Sequence, residues 1–264
     1  MSDLTEYEID YILYNMWCSK SCITLSIPQQ FYDYYYNNIS IDFDRARNII
    51  KYGFNNPKKY SFTASKAYRY LKAFDSNDNI KLNKEIQNGF PLIQRPKPVN
   101  EKAQLSVQCE ALAILMLRNE WNIEIRSTKD FQSPLIPIIS GETDGYVIEN
   151  GMVTQIVEVK CPDILYSMNA NEWIDNKKVR KQRGIKKTSN GYQLSPKSPV
   201  YCQIQLALNS LNLENANLIY FSLYDLSYIH IIVPRDDNYL TVILSKLQTI
   251  FNCYVLPYMY FNNY

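Results

Sequence analysis

Glycine and histidine are scarce in this chain of 264 residues, with 7 of the first and 1 of the second. So little glycine leaves small scope for the glycine-rich loops that bring several backbone amides close to a phosphate. A lone His230 removes the usual base or ligand set of zinc hydrolases and Cys-His proteases. No apolar run nears the ~18 residues of a membrane span, and the opening stretch MSDLTEYEID is acidic, unlike a secretion signal. The expectation is an intracellular chain with no membrane partner. Its 6 cysteines are too dispersed for a disulfide scaffold and read as free thiols. Neither charge sign dominates: Lys and Arg total 28, Asp and Glu 26, so the position of charge matters more than its sum.

What is abundant is apolar and aromatic material, 46% hydrophobic residues including 23 tyrosines, ample for a core. The acidic, tyrosine-rich stretch 1–57 reads as an accessory segment of short helices, and 58–264 as the main domain. Thr63 and Ser65 can cap a helix through Ala67 to Leu71. A connector rich in Pro, Asn and Lys follows at about 87–100. Glu101 to Glu120 lacks Gly and Pro, and Leu105, Cys109, Leu112, Ile114 and Leu115 give a helix with a broad apolar face. Short strands are expected in PLIPIIS, GETDGYVIENG and MVTQIVEVKCP, the last two joined by a turn at Glu149-Asn150-Gly151. A helix over 199–211, with Pro199 in its first turn, precedes the strands ANLIYFSLY and YIHIIV and a closing helix in 237–255. This order implies an α/β fold around a mixed sheet flanked by helices.

The stretch from Gly141 to Pro162 carries the chemistry. Asp144 opens a hairpin whose second strand bears Glu158 and Lys160, two apart and therefore on one face. Two close carboxylates suit a hard cation such as Mg²⁺, with the Val159 carbonyl as a further ligand. A lysine beside the ion could orient water or stabilise charge on a phosphate. A plain cross-strand ion pair is the competing reading of so short a pattern. Three additions weigh against it. The IVEVKCP setting is apolar, and buried charges are costly without a task. Glu110 is a lone acid within VQCEALAILML, and Gln203 and Gln205 stand among apolar neighbours in a later helix.

In this order these features resemble the PD-(D/E)XK nucleases, within them the lambda-exonuclease-like group that includes viral alkaline exonucleases. Glu110 matches the first-helix acid, Asp144-Gly145 the aspartate signature, and Glu158-Val159-Lys160-Cys161-Pro162 the E-x-K-C-P strand. Gln203-Ile204-Gln205 matches the Q-x-Q helix, and Thr63-Ala64-Ser65 an element near the group's 5′-phosphate pocket. The resemblance implies a PD-(D/E)XK core and a Mg²⁺-dependent DNA exonuclease, with Mn²⁺ able to substitute. It would act 5′→3′ on duplex DNA with free ends, in viral recombination or DNA processing, alongside a single-strand annealing or binding protein. The place of action would be the site of viral DNA replication, in nucleus or cytoplasm. Asp144, Glu158, Val159 and Glu110 would hold metal, Lys160 would position or activate water, and Gln203 would orient Lys160 or a phosphate. Gln205 would face DNA. Thr143 and Glu142 depart from the group's proline and serine, and Lys58 replaces an arginine in the terminal-phosphate pocket, losing its fork. An endonuclease of the same fold and a non-catalytic DNA-binding recombination factor are the alternatives.

KKVRKQRGIKK, 177–187, holds seven basic residues and no acid. Placed between the hairpin and the glutamine helix, Lys178, Arg180, Lys181 and Arg183 would contact the DNA backbone together with Lys58, Thr63 and Ser65. A solvated loop or a nuclear-import signal is the alternative. Cys18 and Cys22 lack a second close pair and read as ordinary thiols, and the tyrosine block 31–38 as packing.

Overall fold

A computed structural model describes residues 62–90, 101–127, 131–132, 139–189, 191–255 and 258–259. Segment 1–57, including Cys18, Cys22 and the tyrosine block, lies outside the described residues, as does Lys58. The chain divides into two compact units, each assembled from separate stretches.

The first unit is drawn from residues up to 95, from 132–140 and from 238 onward. Strand β1 (Phe62–Thr63) leads into α1 (Ala64–Asp75) and α2 (Asn79–Gly89). The side chain of Asp78 accepts from the Lys81 amide at 2.9 Å and so caps α2, a helix the sequence reading did not anticipate. Phe62 is fully buried, with Tyr70, Phe90 and Phe251 around its ring at centroid distances of 4.9, 5.5 and 6.3 Å. Its backbone pairs in parallel with Ile139, at the start of the strand Ile139–Gly141.

The second unit, 96–131 and 141–237, begins with α3 (Glu101–Trp121) and β2 (Glu124–Ser127). Beyond the short β3 (Phe131–Gln132) and β4 (Ile139–Gly141), the chain enters β5 (Gly145–Glu149) and β6 (Met152–Lys160). Asn150 and Gly151 connect them with φ of 52° and 78°, opposite the Glu149–Met152 pair. Two positive φ values in a two-residue loop match the strand twist, which is why Asn-Gly was legible as this hairpin. The helices α4 (Ala170–Asp175) and α5 (Lys177–Arg183), the hairpin β7 (Ile185–Thr188) and β8 (Gly191–Leu194), and helix α6 (Pro199–Leu211) then lead to β9 (Asn215–Phe221) and β10 (Tyr228–Pro234). Helix α7 (Asp237–Ile250) follows, and from residue 238 onward it belongs to the first unit. Five strands form a mixed sheet in the order β10-β9-β6-β5-β2, in which β6 and β9 run parallel and the other neighbours antiparallel. The expected α/β architecture is thus the observed one.

On one face of this sheet, Cys109, Ala113 and Leu117 of α3 bury against Ile125, Val147, Val157, Val159, Ile219 and Phe221. Leu105 and Leu115, expected on that apolar face, are exposed, because the stripe at i, i+4, i+8 is the one that meets the sheet. Alternation along β6 puts Glu158 and Lys160 on the opposite face, toward α6. Gly145 marks a close approach: a Cβ there would come within 2.9 Å of both Ile114 Cδ1 and Ile125 Cγ2. Gly145→Ala is therefore expected to destabilise the protein by about 1–3 kcal/mol through overpacking. Denaturant unfolding checks this, and an unchanged midpoint would contradict it.

Candidate active site

Glu158 occupies the middle of the site. It lies on the central strand, 2% exposed, where an unpaired carboxylate would be strongly disfavoured. Two donors converge on its Oε1: the Lys160 ammonium, and Gln203 Nε2 of α6 at 2.7 Å. Asp144, immediately before β5, is fixed twice. Its amide donates to the Val157 carbonyl at 3.1 Å, and its Oδ2 accepts from the Val159 amide at 2.6 Å. Glu110, half-buried on α3, accepts from Ser106 Oγ at 3.0 Å one helical turn earlier. The structure thus brings Glu110, Asp144, Glu158, Lys160 and Gln203 into one site.

The charges of this group act on one another. Burial, then the charge of Glu158, pushes the Asp144 carboxyl up to about 7, although Lys160 and the Val159 amide pull the other way. Glu110 is raised by burial and then by Asp144. For Lys160 burial acts to lower the pKa, but the combined pull of Glu158, Asp144 and Glu110 prevails and raises it. Lys160 is therefore a cation at neutral pH, which suits it to stabilising charge rather than removing a proton.

The donor set fits a hard divalent cation. Glu158 Oε2 and Asp144 Oδ1 take no donor among the described residues, so two carboxylate oxygens remain for a ligand. Mutual repulsion of the two acids is what a cation would relieve. Among the described residues, no three Asp, Glu, Cys or His side chains close into a cage. Two carboxylates with Glu110 beside them match an ion that keeps several waters, as Mg²⁺ does.

Several expectations are revised. Gln203 holds Glu158, not Lys160. Val159 also contributes its amide, which donates to Asp144 Oδ2, in addition to the carbonyl expected as a metal ligand. Gln205 does not face DNA: it is fully buried, donates to the Pro234 carbonyl at 2.7 Å and accepts from the Asp236 amide at 2.8 Å. Burial with both amide ends engaged gives it a structural task, tying α6 to the end of β10. The basic segment is no loop but helix α5 running into β7. Arg180 is spent there, its guanidinium donating to the carbonyls of Ile174 and Asp175 at 2.7 and 2.8 Å and closing the end of α4. Lys178, Lys181 and Arg183 are exposed on the same helix. Thr63 and Ser65 belong to the first unit; the Thr63 hydroxyl is buried without a hydrogen-bond partner among the described residues, and Ser65 is exposed on the first turn of α1.

Three neighbours escaped the sequence reading. Ser106, four residues before Glu110, was within reach of helical periodicity. Tyr220 and Trp173, both 1% exposed, stack with centroids 4.8 Å apart, and Tyr220 pairs in register with Lys160. Only the β6–β9 register reveals that pairing. His230 Nε2 donates to Asn217 Oδ1 on the adjoining strand at 2.8 Å, and the ring lies against Trp121.

No protein-family model matches this chain, and no curated protein does. Solved structures place its fold among exonucleases. An alkaline exonuclease from Laribacter hongkongensis is 15% identical with a TM-score of 0.55, covering 78% of this chain and 94% of its own. The same enzyme in complex with dAMP gives 16% and 0.54, covering 77% and 93%. A phage-related exonuclease from Haemophilus somnus 129PT is 13% identical with a TM-score of 0.54, over 80% of this chain and 100% of its own. This chain has the fold of the alkaline exonucleases, the group its motifs resemble.

The Asp144 shift gives a pH test. A carboxyl held above its unfolded value contributes stability below about pH 4, and that contribution is lost as pH rises through about 7. In chelator at pH 8, Asp144→Asn should therefore melt higher than the wild type, with the difference vanishing near pH 4. Adding Mg²⁺ at pH 8 should raise the wild-type melting temperature and leave that of the variant unmoved. A Mg²⁺ response of equal size in both would contradict the assignment.

Proposed function

We propose that this chain is a metal-dependent deoxyribonuclease that hydrolyses phosphodiester bonds from the free ends of duplex DNA. The observation that carries this reading is the buried Glu158 carboxylate, held by Lys160 and Gln203 beside an Asp144 pinned by the Val159 amide. That arrangement leaves carboxylate oxygens for a cation and keeps a fixed positive charge next to them. Its likeness in fold to exonucleases supports the same reading. Action 5′→3′ and a role in viral recombination beside a single-strand annealing protein follow from the motif resemblance and are part of the proposal.

Asp144 and Glu158, assisted by Glu110, would hold Mg²⁺ or Mn²⁺, which when bound supplies Lewis-acid stabilisation of charge developing on the phosphate. The chain's own groups do the rest. Gln203 fixes the rotamer of Glu158, and the Val159 amide fixes that of Asp144, so neither acid must reorganise during turnover. Lys160 keeps its proton and offsets negative charge in the transition state. On α5, Lys178, Lys181 and Arg183 would neutralise backbone phosphates.

On a linear duplex, Asp144→Asn and Glu158→Gln are expected to abolish cleavage while DNA binding persists. Lys160→Ala should cost roughly 10²–10³ in rate, the scale of one transition-state stabiliser. Wild-type turnover in either acid variant, or a loss below about threefold for Lys160→Ala, would reject these roles.

Replacing Lys178, Lys181 and Arg183 together by alanine should flatten the salt dependence of duplex binding, measured in Ca²⁺. Each lost phosphate contact reduces the slope of log K against log salt by about 0.9, so a reduction of roughly 2 to 3 is expected. An unchanged slope would remove α5 from the DNA path.

A further inference from the structure

Tyr220 of β9 lies directly across from Lys160 of β6. Paired positions on neighbouring strands carry their side chains on the same face, so phenol and ammonium rise side by side from the sheet. The ring is clamped by Trp173 of α4, with centroids 4.8 Å apart and planes 39° apart. Yet the Tyr220 hydroxyl is buried with no hydrogen-bond partner among the described residues. The charges of Arg183, Lys160 and Glu158 all act on it. Buried hydroxyls are rarely left unsatisfied, and one beside an active site points to a partner that arrives in another state of the protein.

Lys160 can be that partner. Here its ammonium donates to Glu158 Oε1, the atom that also accepts from Gln203. A divalent cation on the Glu158–Asp144 pair competes for that carboxylate and repels the ammonium. A half-buried ammonium that loses its acceptor requires another one nearby. We infer that Tyr220 is a positioning residue for Lys160: its phenolic oxygen accepts the ammonium once a divalent cation occupies the acids, fixing that charge beside the substrate phosphate. This rests on the metal-dependent reading above and gives Lys160 two states. Packing alone would not call for the hydroxyl, since phenylalanine would fill the same slot against Trp173.

The test is Tyr220→Phe, alone and combined with Lys160→Ala, in thermal titrations of the full chain with Ca²⁺ and Mg²⁺ in the absence of DNA. In chelator Tyr220→Phe should melt no lower than the wild type, because no hydrogen bond is removed. The cation concentration for half-maximal stabilisation should rise about tenfold, the scale of one hydrogen bond to a charged group. In the Lys160→Ala background the second substitution should change nothing, because the two residues act as a unit. The ¹⁵N resonance of the Lys160 ammonium should shift with Ca²⁺ in the wild type and shift differently in Tyr220→Phe. An unchanged cation midpoint, the same loss without Lys160, or a lower melting temperature in chelator would overturn the inference. A wild type stabilised by neither cation would overturn the metal reading and this inference together. A wild type that responds, with Tyr220→Phe matching it, would overturn this inference alone.

Discussion

The burial of one carboxylate, Glu158, on the central strand constrains everything around it. An acid that is 2% exposed persists as a charge only if its neighbours offset its lost hydration. Lys160 and Gln203 do so from two directions, one from the same strand and one from α6. That requirement explains why α6 must lie over this face of the sheet. It also explains why the end of β10 is tied to α6 through Gln205, which holds Pro234 and Asp236. A shift of α6 by one residue would withdraw Gln203 and leave Glu158 short of a donor.

The second acid is arranged in the opposite sense. Asp144 receives one backbone amide, and burial together with the charge of Glu158 pushes its carboxyl up to about 7. The pair combines one acid held by two side-chain donors with one held by a single amide, and a cation bound to both would offset their charge. Next to Asp144, Gly145 leaves little room for a side chain, because Ile114 Cδ1 and Ile125 Cγ2 lie close to where its Cβ would be.

Much of this was legible in the sequence, for reasons that differ by element. The Asn150-Gly151 turn, the start of α6 at Pro199 and the pairing of Glu158 with Lys160 on one strand face follow from local chemistry. Gln203 and Gln205 illustrate the limit. Both are amides in an apolar helix, two positions apart, and only the tertiary neighbours decide that one grips an active-site acid while the other bonds backbone. Arg180 was grouped with three other basic residues because charge is visible and a free carbonyl pair at the end of α4 is not. Tyr220 was invisible as a site residue because its relation to Lys160 exists only through the parallel register of β6 and β9.

The most direct measurement of the central claim is degradation of end-labelled linear duplex DNA against covalently closed circular duplex, with Mg²⁺ and with chelator. A metal-dependent enzyme acting from ends predicts loss of the linear substrate in Mg²⁺ only, with the closed circle intact. Cleavage of the closed circle would contradict action from ends, and no cleavage of either substrate would contradict catalysis by this site.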